Sequence, residues 1–222
     1  AFHDGRAWQH RQRVLLDDFC RDPRQYLQHP AQQILVANVA GSPVQAAIES
    51  IFPNQAVHWV KATADACGVS NQYAAPEQLG ADRWSMLIAA RAMTQADCAV
   101  VSLGTALTVD MLANDGRFLG GVIAPGMQLM RTALVQGTDA IAPPPGEVRR
   151  FPTNTADAVQ TGLVYAVLGV IAKTLAEFEV QCQQPVSCIL TGGGADSIAP
   201  YLNRPLQVVD NLVLEGLRLL AQ

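Results

Sequence analysis

Three segments of this chain hold residue types that could bind and activate a small polar substrate. Gly80-Ala81-Asp82-Arg83-Trp84 sets a carboxylate beside a guanidinium, just after an irregular stretch that carries Asn71, Tyr73 and Pro76. In that setting the carboxylate suits a general base and the guanidinium an anion clamp. An Asp at a helix start is also the ordinary N-cap residue. Charged residues make up only 15% of the chain, so an acid and a base side by side in a loop favour the functional reading. Gly104-Thr105, between Ser102 and Asp110, brings backbone amides and a hydroxyl to a strand end where a phosphate can approach without a side-chain clash. A plain hairpin turn explains the same residues. Thr191-Gly192-Gly193-Gly194 sits between a strand and a helix, where its amides could face a nucleotide; a tight turn without ligand is the alternative. It is neither a G-x-G-x-x-G nor a Walker loop.

The elements that must position these residues follow from the apolar pattern. Gly5 to His29 predicts one surface helix, broken near Pro23, and Ile34 to Val39 predicts a strand leading through Ser42-Pro43 into a helix. Ala56 to Val60 reads as a second short strand, followed by an irregular loop from Gly68 to Gly80. Trp84 to Met93 is a helix and Cys98 to Ser102 a buried strand. Leu107 to Leu112 and Phe118 to Ile123 form a hairpin about Asn114-Asp115-Gly116. Pro125 to Val135 suits a helix, and Ala142-Pro143-Pro144-Pro145-Gly146 a rigid exposed loop. Thr155 to Gln181 is a long, nearly all-apolar helix that should be buried on most sides. Val186 to Thr191 is a strand, and Asn211 to Leu220 a closing helix. The sum is α/β.

Composition excludes several function classes. Lys plus Arg is 15 and Asp plus Glu is 19, and the net charge of −4 gives no general attraction to nucleic acid or anionic lipid. The arginines near the start, Arg6 to Arg24, are interleaved with Asp4, Asp17, Asp18 and Asp22 and read as a solvated face. The five cysteines, Cys20, Cys67, Cys98, Cys182 and Cys188, are odd in number and never spaced C-x-x-C, which argues against disulfides and zinc and fits a reducing cytoplasm. No apolar run is long enough for a membrane span. His58 alternates with Val57 and Trp59 on its strand, and no Ser-His-Asp spacing emerges among His3, His10, His29 and His58.

Taken in order, Asn71-x-Tyr73, Leu79 to Trp84, Gly104-Thr105-Ala106-x-Thr108-x-Asp110, Gly120 to Gly126, Asn154-Thr155-x-x-Ala158 and Thr191 to Gly194 resemble the type III pantothenate kinases, a family with a branch called Bvg accessory factor. The resemblance runs from about Ile34 to the C-terminus. It implies the fold of the acetate kinase, sugar kinase, Hsp70 and actin superfamily, two ribonuclease-H-like domains around a cleft. Here these would be residues 1–96 with 206–222, and residues 97–205. It implies phosphorylation of pantothenate with ATP and Mg²⁺ by a homodimer. Asp82 then matches the general base; Tyr73, Gly80, Ala81 and Arg83 match pantothenate contacts, with Thr155 supplied across the dimer interface. Gly104 and Thr105 match the ATP phosphate contact, and Gly192 and Gly193 the adenosine side. Ser102 stands where the family usually has a cation-binding Asp, which makes it a poor position for a monovalent cation such as K⁺ or NH₄⁺. The family's opening D-x-G-N-[ST]-x-x-K segment is not present, so the first strands of domain one are expected to be missing. The alternative reading is a non-catalytic accessory or regulatory protein on the same fold, or a kinase of a related small alcohol.

Overall fold

The computed structural model describes residues 1–9, 11–26, 31–138 and 144–222. His10, Leu27, His29, Pro30 and the first part of the proline-rich loop, Ala142 and Pro143, lie outside them. The N-terminal stretch departs from the predicted helix. β1 (Phe2–His3) and β2 (Trp8–Gln9) pair as a small antiparallel ribbon, α1 covers only Leu16–Arg21, and a 3-10 turn follows at Pro23–Gln25. α1 buries no residue, and a helix that short has little intrinsic stability to extend it.

β3 (Ile34–Val36), α2 (Ser42–Ile51) and β4 (Val57–Trp59) form the expected β-α-β unit, with the two strands parallel. Gly41 at φ 86° makes the turn into α2, a left-handed conformation open to glycine, and Pro43 lies in the first turn. His58 points to the exposed side of β4.

The remaining elements are the strands of one sheet and the helices between them. They are β5 (Asp65–Ala66), β6 (Val69–Asn71), α3 (Ala81–Met93), β7 (Cys98–Leu103), β8 (Ala106–Leu112), β9 (Arg117–Pro125), α4 (Met127–Gly137), α5 (Thr155–Cys182), β10 (Ser187–Thr191), α6 (Ala195–Ile198), β11 (Leu206–Val208) and α7 (Leu212–Leu220). The sheet order is β11-β10-β7-β8-β9-β6-β5. β7, β8 and β9 form an antiparallel meander, and β10 and β11 then join beyond β7, parallel to it, through helical crossovers. That is the ribonuclease-H-like order, 3-2-1-4-5. β6 and β5 extend it past β9, so residues ahead of 97 belong to this sheet too.

Helices cover both faces. Trp84, Leu87 and Ile88 of α3 and Leu212 of α7 pack on the face carrying Cys98, Val100, Leu112 and Phe118. Val167, Ile171, Leu175 and Phe178 of α5 pack on the face carrying Ala99, Val101, Leu107 and Val109. The alternation of side chains along a strand sorts the two cores, since successive residues point to opposite faces. α5 has the predicted length, but within this chain it buries one stripe: Tyr165 and Val180 stay exposed.

Candidate active site

α3 begins where the 3-10 turn Pro76–Gln78 ends, and this junction builds the first part of the site. Asn71 fixes the preceding loop: its Nδ2 donates to the carbonyls of Thr63 and Pro76, and its Oδ1 accepts from the Tyr73 amide. Gly80 occupies the N-cap, so Asp82 lies one residue inside the helix. Its Oδ1 accepts the Arg83 amide at 2.8 Å, and a Cβ on Gly80 would come within 2.7 Å of the same oxygen. Glycine is therefore the residue that leaves this carboxylate in place, partly exposed at the positive end of the helix dipole.

Arg83 turns inward. Its Nε donates to both Asp110 oxygens at 3.1 and 3.2 Å, its Nη2 donates to Asp110 Oδ1, and its Nη1 donates to the Tyr73 hydroxyl at 3.0 Å. The guanidinium lies 5.8 Å from the ring centres of Tyr73 and Phe118. Asp110 is fully buried on β8. Burial pushes its carboxyl up from the ordinary value, the Arg83 guanidinium pulls it down, and the charge of nearby Asp82 adds to the rise.

A second group lies on the same face of the sheet. Ser102 pairs with Thr108 across β7 and β8, and Thr108 shares its face with Asp110. Ser102 and Asp110 are thus diagonal neighbours, roughly 7–8 Å apart in a regular antiparallel pair. Ser102 opens into a cavity of about 330 Å³ lined also by Arg13, Met86, Gly192, Gly193 and Asn211. Gly192 has φ 95°, and a Cβ there would meet the Leu103 carbonyl oxygen at 2.5 Å; the Gly194 amide donates to that carbonyl at 2.9 Å. The three-glycine turn can therefore lie flat on the end of β7. Gly104 and Thr105 are exposed at the β7–β8 turn, braced by the Gly126 amide on the Thr105 carbonyl at 2.9 Å.

Thr155 stands apart. It opens α5, whose N-cap Asn154 accepts from the Asp157 amide at 2.9 Å, and it lines a groove of about 1150 Å³ between α4 and α5. Among the described residues no hydrogen bond joins it to Tyr73, Asp82 or Arg83. The structure thus gathers Tyr73, Gly80, Ala81, Asp82 and Arg83 at one junction and Ser102, Gly192 and Gly193 at one cavity, with Gly104 and Thr105 at the neighbouring strand end. Sequence reasoning missed the partnership of Asp110 with Arg83, and it missed Arg13 and Asn211 as cavity lining. A lone Asp amid the apolar run Leu107 to Leu112, in a chain poor in charge, was the signal available for Asp110.

Residues 4–177 match the family model described as type III pantothenate kinase. The type III pantothenate kinase of Nitrosospira multiformis is 37% identical over 230 residues, covering 100% of this chain and 86% of the relative. That of Laribacter hongkongensis is 38% identical over 222 residues, covering 100% of this chain and 90% of the relative. Among solved structures, a conserved Baf family protein from Campylobacter jejuni, described as a transcriptional activator, superposes with a TM-score of 0.61 at 21% identity over 88% of this chain and 85% of that one. That likeness bears on the fold alone. With the family model spanning more than half of the sequence and relatives aligned along all of it, the chain belongs to the type III pantothenate kinase family.

Proposed function

We infer that this chain phosphorylates pantothenate with ATP, the first step of coenzyme A biosynthesis, and that Asp82 is its general base. Family membership carries the activity. The role of Asp82 rests on its place: a partly exposed carboxylate at a helix start, beside an arginine whose own charge is already met by Asp110. Phosphoryl transfer needs little covalent help from the protein; it needs the alcohol oriented and its proton accepted as the phosphorus–oxygen bond forms. Asp82 would accept that proton. Tyr73, Gly80, Ala81 and Arg83 would hold pantothenate around it.

The residues present suit a nucleotide. The glycine turn adjoins a cavity that carries one cation, Arg13, itself paired with Asp210 at 3.0 Å, among polar and apolar lining. Gly104, Thr105, Gly192 and Gly193 would hold ATP, which when bound supplies the phosphoryl group. Among the described residues no cluster of three or more His, Cys, Asp or Glu side chains could cage a metal. Mg²⁺ is assigned to the ATP phosphates, the manner in which it commonly enters kinase sites. Ser102 offers only a neutral hydroxyl, and we route no step through a monovalent cation there.

We further propose a homodimer whose interface is the α4–α5 groove, because that groove is apolar and holds Thr155, the assigned pantothenate contact that lies apart from Asp82. We place the protein in the cytoplasm, where ATP and reduced thiols are found; among the described residues no helix is long and apolar enough to cross a membrane. The test of the base is Asp82→Asn. It should lower kcat by about 10²–10⁴-fold, the usual worth of a positioned base, while calorimetry still detects pantothenate binding. Turnover at the normal rate would remove Asp82 from the role.

A further inference from the structure

We propose that Asp110 is a positioning residue for the phosphoryl-acceptor site: it holds Arg83 in the single orientation that meets pantothenate, and Gly121 exists to leave room for the pair. The inference rests on the assignment of Arg83 as a pantothenate contact. Arg83 has five N–H donors. The Nε donor and one on Nη2 go to Asp110, and one on Nη1 goes to Tyr73. Two donors are left, one on each terminal nitrogen, and only 5% of the side chain is exposed to use them. A guanidinium gripped on one edge and one corner presents a fixed remainder, which is how an arginine can orient a substrate without losing much side-chain freedom on binding.

Charge leads to the same conclusion. A buried guanidinium without a counter-ion carries a heavy desolvation cost, and Asp110, with no exposed surface, is the carboxylate that meets it by a two-pronged contact. The packing around the pair is close. Gly121 lies opposite Asp110 in the β8–β9 register. A Cβ on Gly121 would overlap Asp110 Oδ1 and stand 2.7 Å from Arg83 Nη2. The Phe118 and Tyr73 rings close the sides, their centres 5.4 Å apart. Asp110 itself touches no open surface, so its effect on the reaction runs through Arg83.

The test is a double-mutant cycle on the full chain, with kcat and KM for pantothenate measured per folded molecule. Arg83→Met should lower kcat/KM by roughly 10- to 100-fold, the scale of a lost charged hydrogen bond. Asp110→Asn should lower it by a similar factor, with a rise in KM that mere loss of stability would not produce. Combined with Arg83→Met it should add less than about twofold, because nothing is left to position. Should Asp110→Asn not fold, the pair Asp110→Asn with Arg83→Gln removes both buried charges and serves as the folded variant. It should match Arg83→Gln alone in KM. A normal KM in Asp110→Asn beside a damaged Arg83→Met, or effects that multiply in the double variant, would overturn the positioning role alone. A normal kcat/KM in Arg83→Met would overturn the assignment of Arg83 and this inference with it.

Discussion

Single carboxylates set how this protein should respond to acid. The Asp157 carboxyl is held below its ordinary value chiefly by the Glu147 amide, and Glu179 chiefly by the Val186 amide with Arg204 beside it. Asp4, Asp115 and Glu177 are lowered as well, while burial moves Asp110 the other way. A lowered carboxylate stabilises the fold above its unfolded value, near about 4, and that stabilisation is lost as pH falls through the lower folded value. Asp110 has the opposite sign, contributing more in acid. The five lowered groups are screened by solvent and each contributes little, so their loss predicts a shallow fall of the urea midpoint between pH 6 and pH 3, with Asp110 acting against it. A flat midpoint would mean that these contacts are open in solution. At this scale the sequence was legible where the partners are close along the chain: Tyr73, Gly80, Asp82 and Arg83 fall within one loop and helix start. The Arg83–Asp110 pair spans 27 residues and depends on which face β8 turns to α3, and no spacing rule carries that information.

At the scale of elements, the α3–α7 contact is the joint behind the site, and it is built around a glycine. Gly216 is buried in α7, and a Cβ there would overlap the backbone carbonyl of Ser85 in α3. Helix propensity alone favours Gly216→Ala by about 1 kcal/mol. Forcing two helix backbones apart costs about 1–3 kcal/mol and sometimes more, so packing decides the sign. Gly216→Ala should therefore lower the denaturation midpoint, and because α3 carries Asp82 and Arg83 it should also raise KM for pantothenate. A gain in stability would show a looser helix crossing. The strands and long helices were legible because their apolar periods are strong. The β7–β8–β9 meander and α5 lie within a few residues of where the pattern puts them. The N-terminal stretch was not, because its helical spacing finds no surface to bury: Leu15 and Leu16 remain exposed. β6 was hidden in an apparently irregular loop, being three residues long and recruited by the edge of β9.

For the whole molecule the open question is what covers the second face of α5. Leu129 and Leu134 on α4 and Tyr165 on α5 are exposed beside a groove whose lining is mostly apolar, with Ile123 on β9 exposed as well. The near-continuous apolar character of α5 led to an expectation of burial on most sides, and one chain buries only a stripe of it. A second copy of the chain laid along the groove would cover the rest and bring its own Thr155 into the interface. The proposed dimer then makes a prediction that a simple surface patch does not. Leu129→Asp with Leu134→Asp places two charges in the contact, where desolvating them unpaired is unfavourable. Sedimentation should show the unaltered chain as a dimer and the double variant as a folded monomer. If Thr155 reaches the site from the partner, that monomer should also bind pantothenate more weakly, to the same extent as Thr155→Ala in the dimer. Mixing Thr155→Ala with Asp82→Asn subunits should then restore part of the turnover, since a site combining an intact Asp82 with an intact Thr155 exists only in the mixed dimer. A monomeric parent chain would remove the dimer, and a monomeric variant with full pantothenate affinity would leave Thr155 without a role at the site.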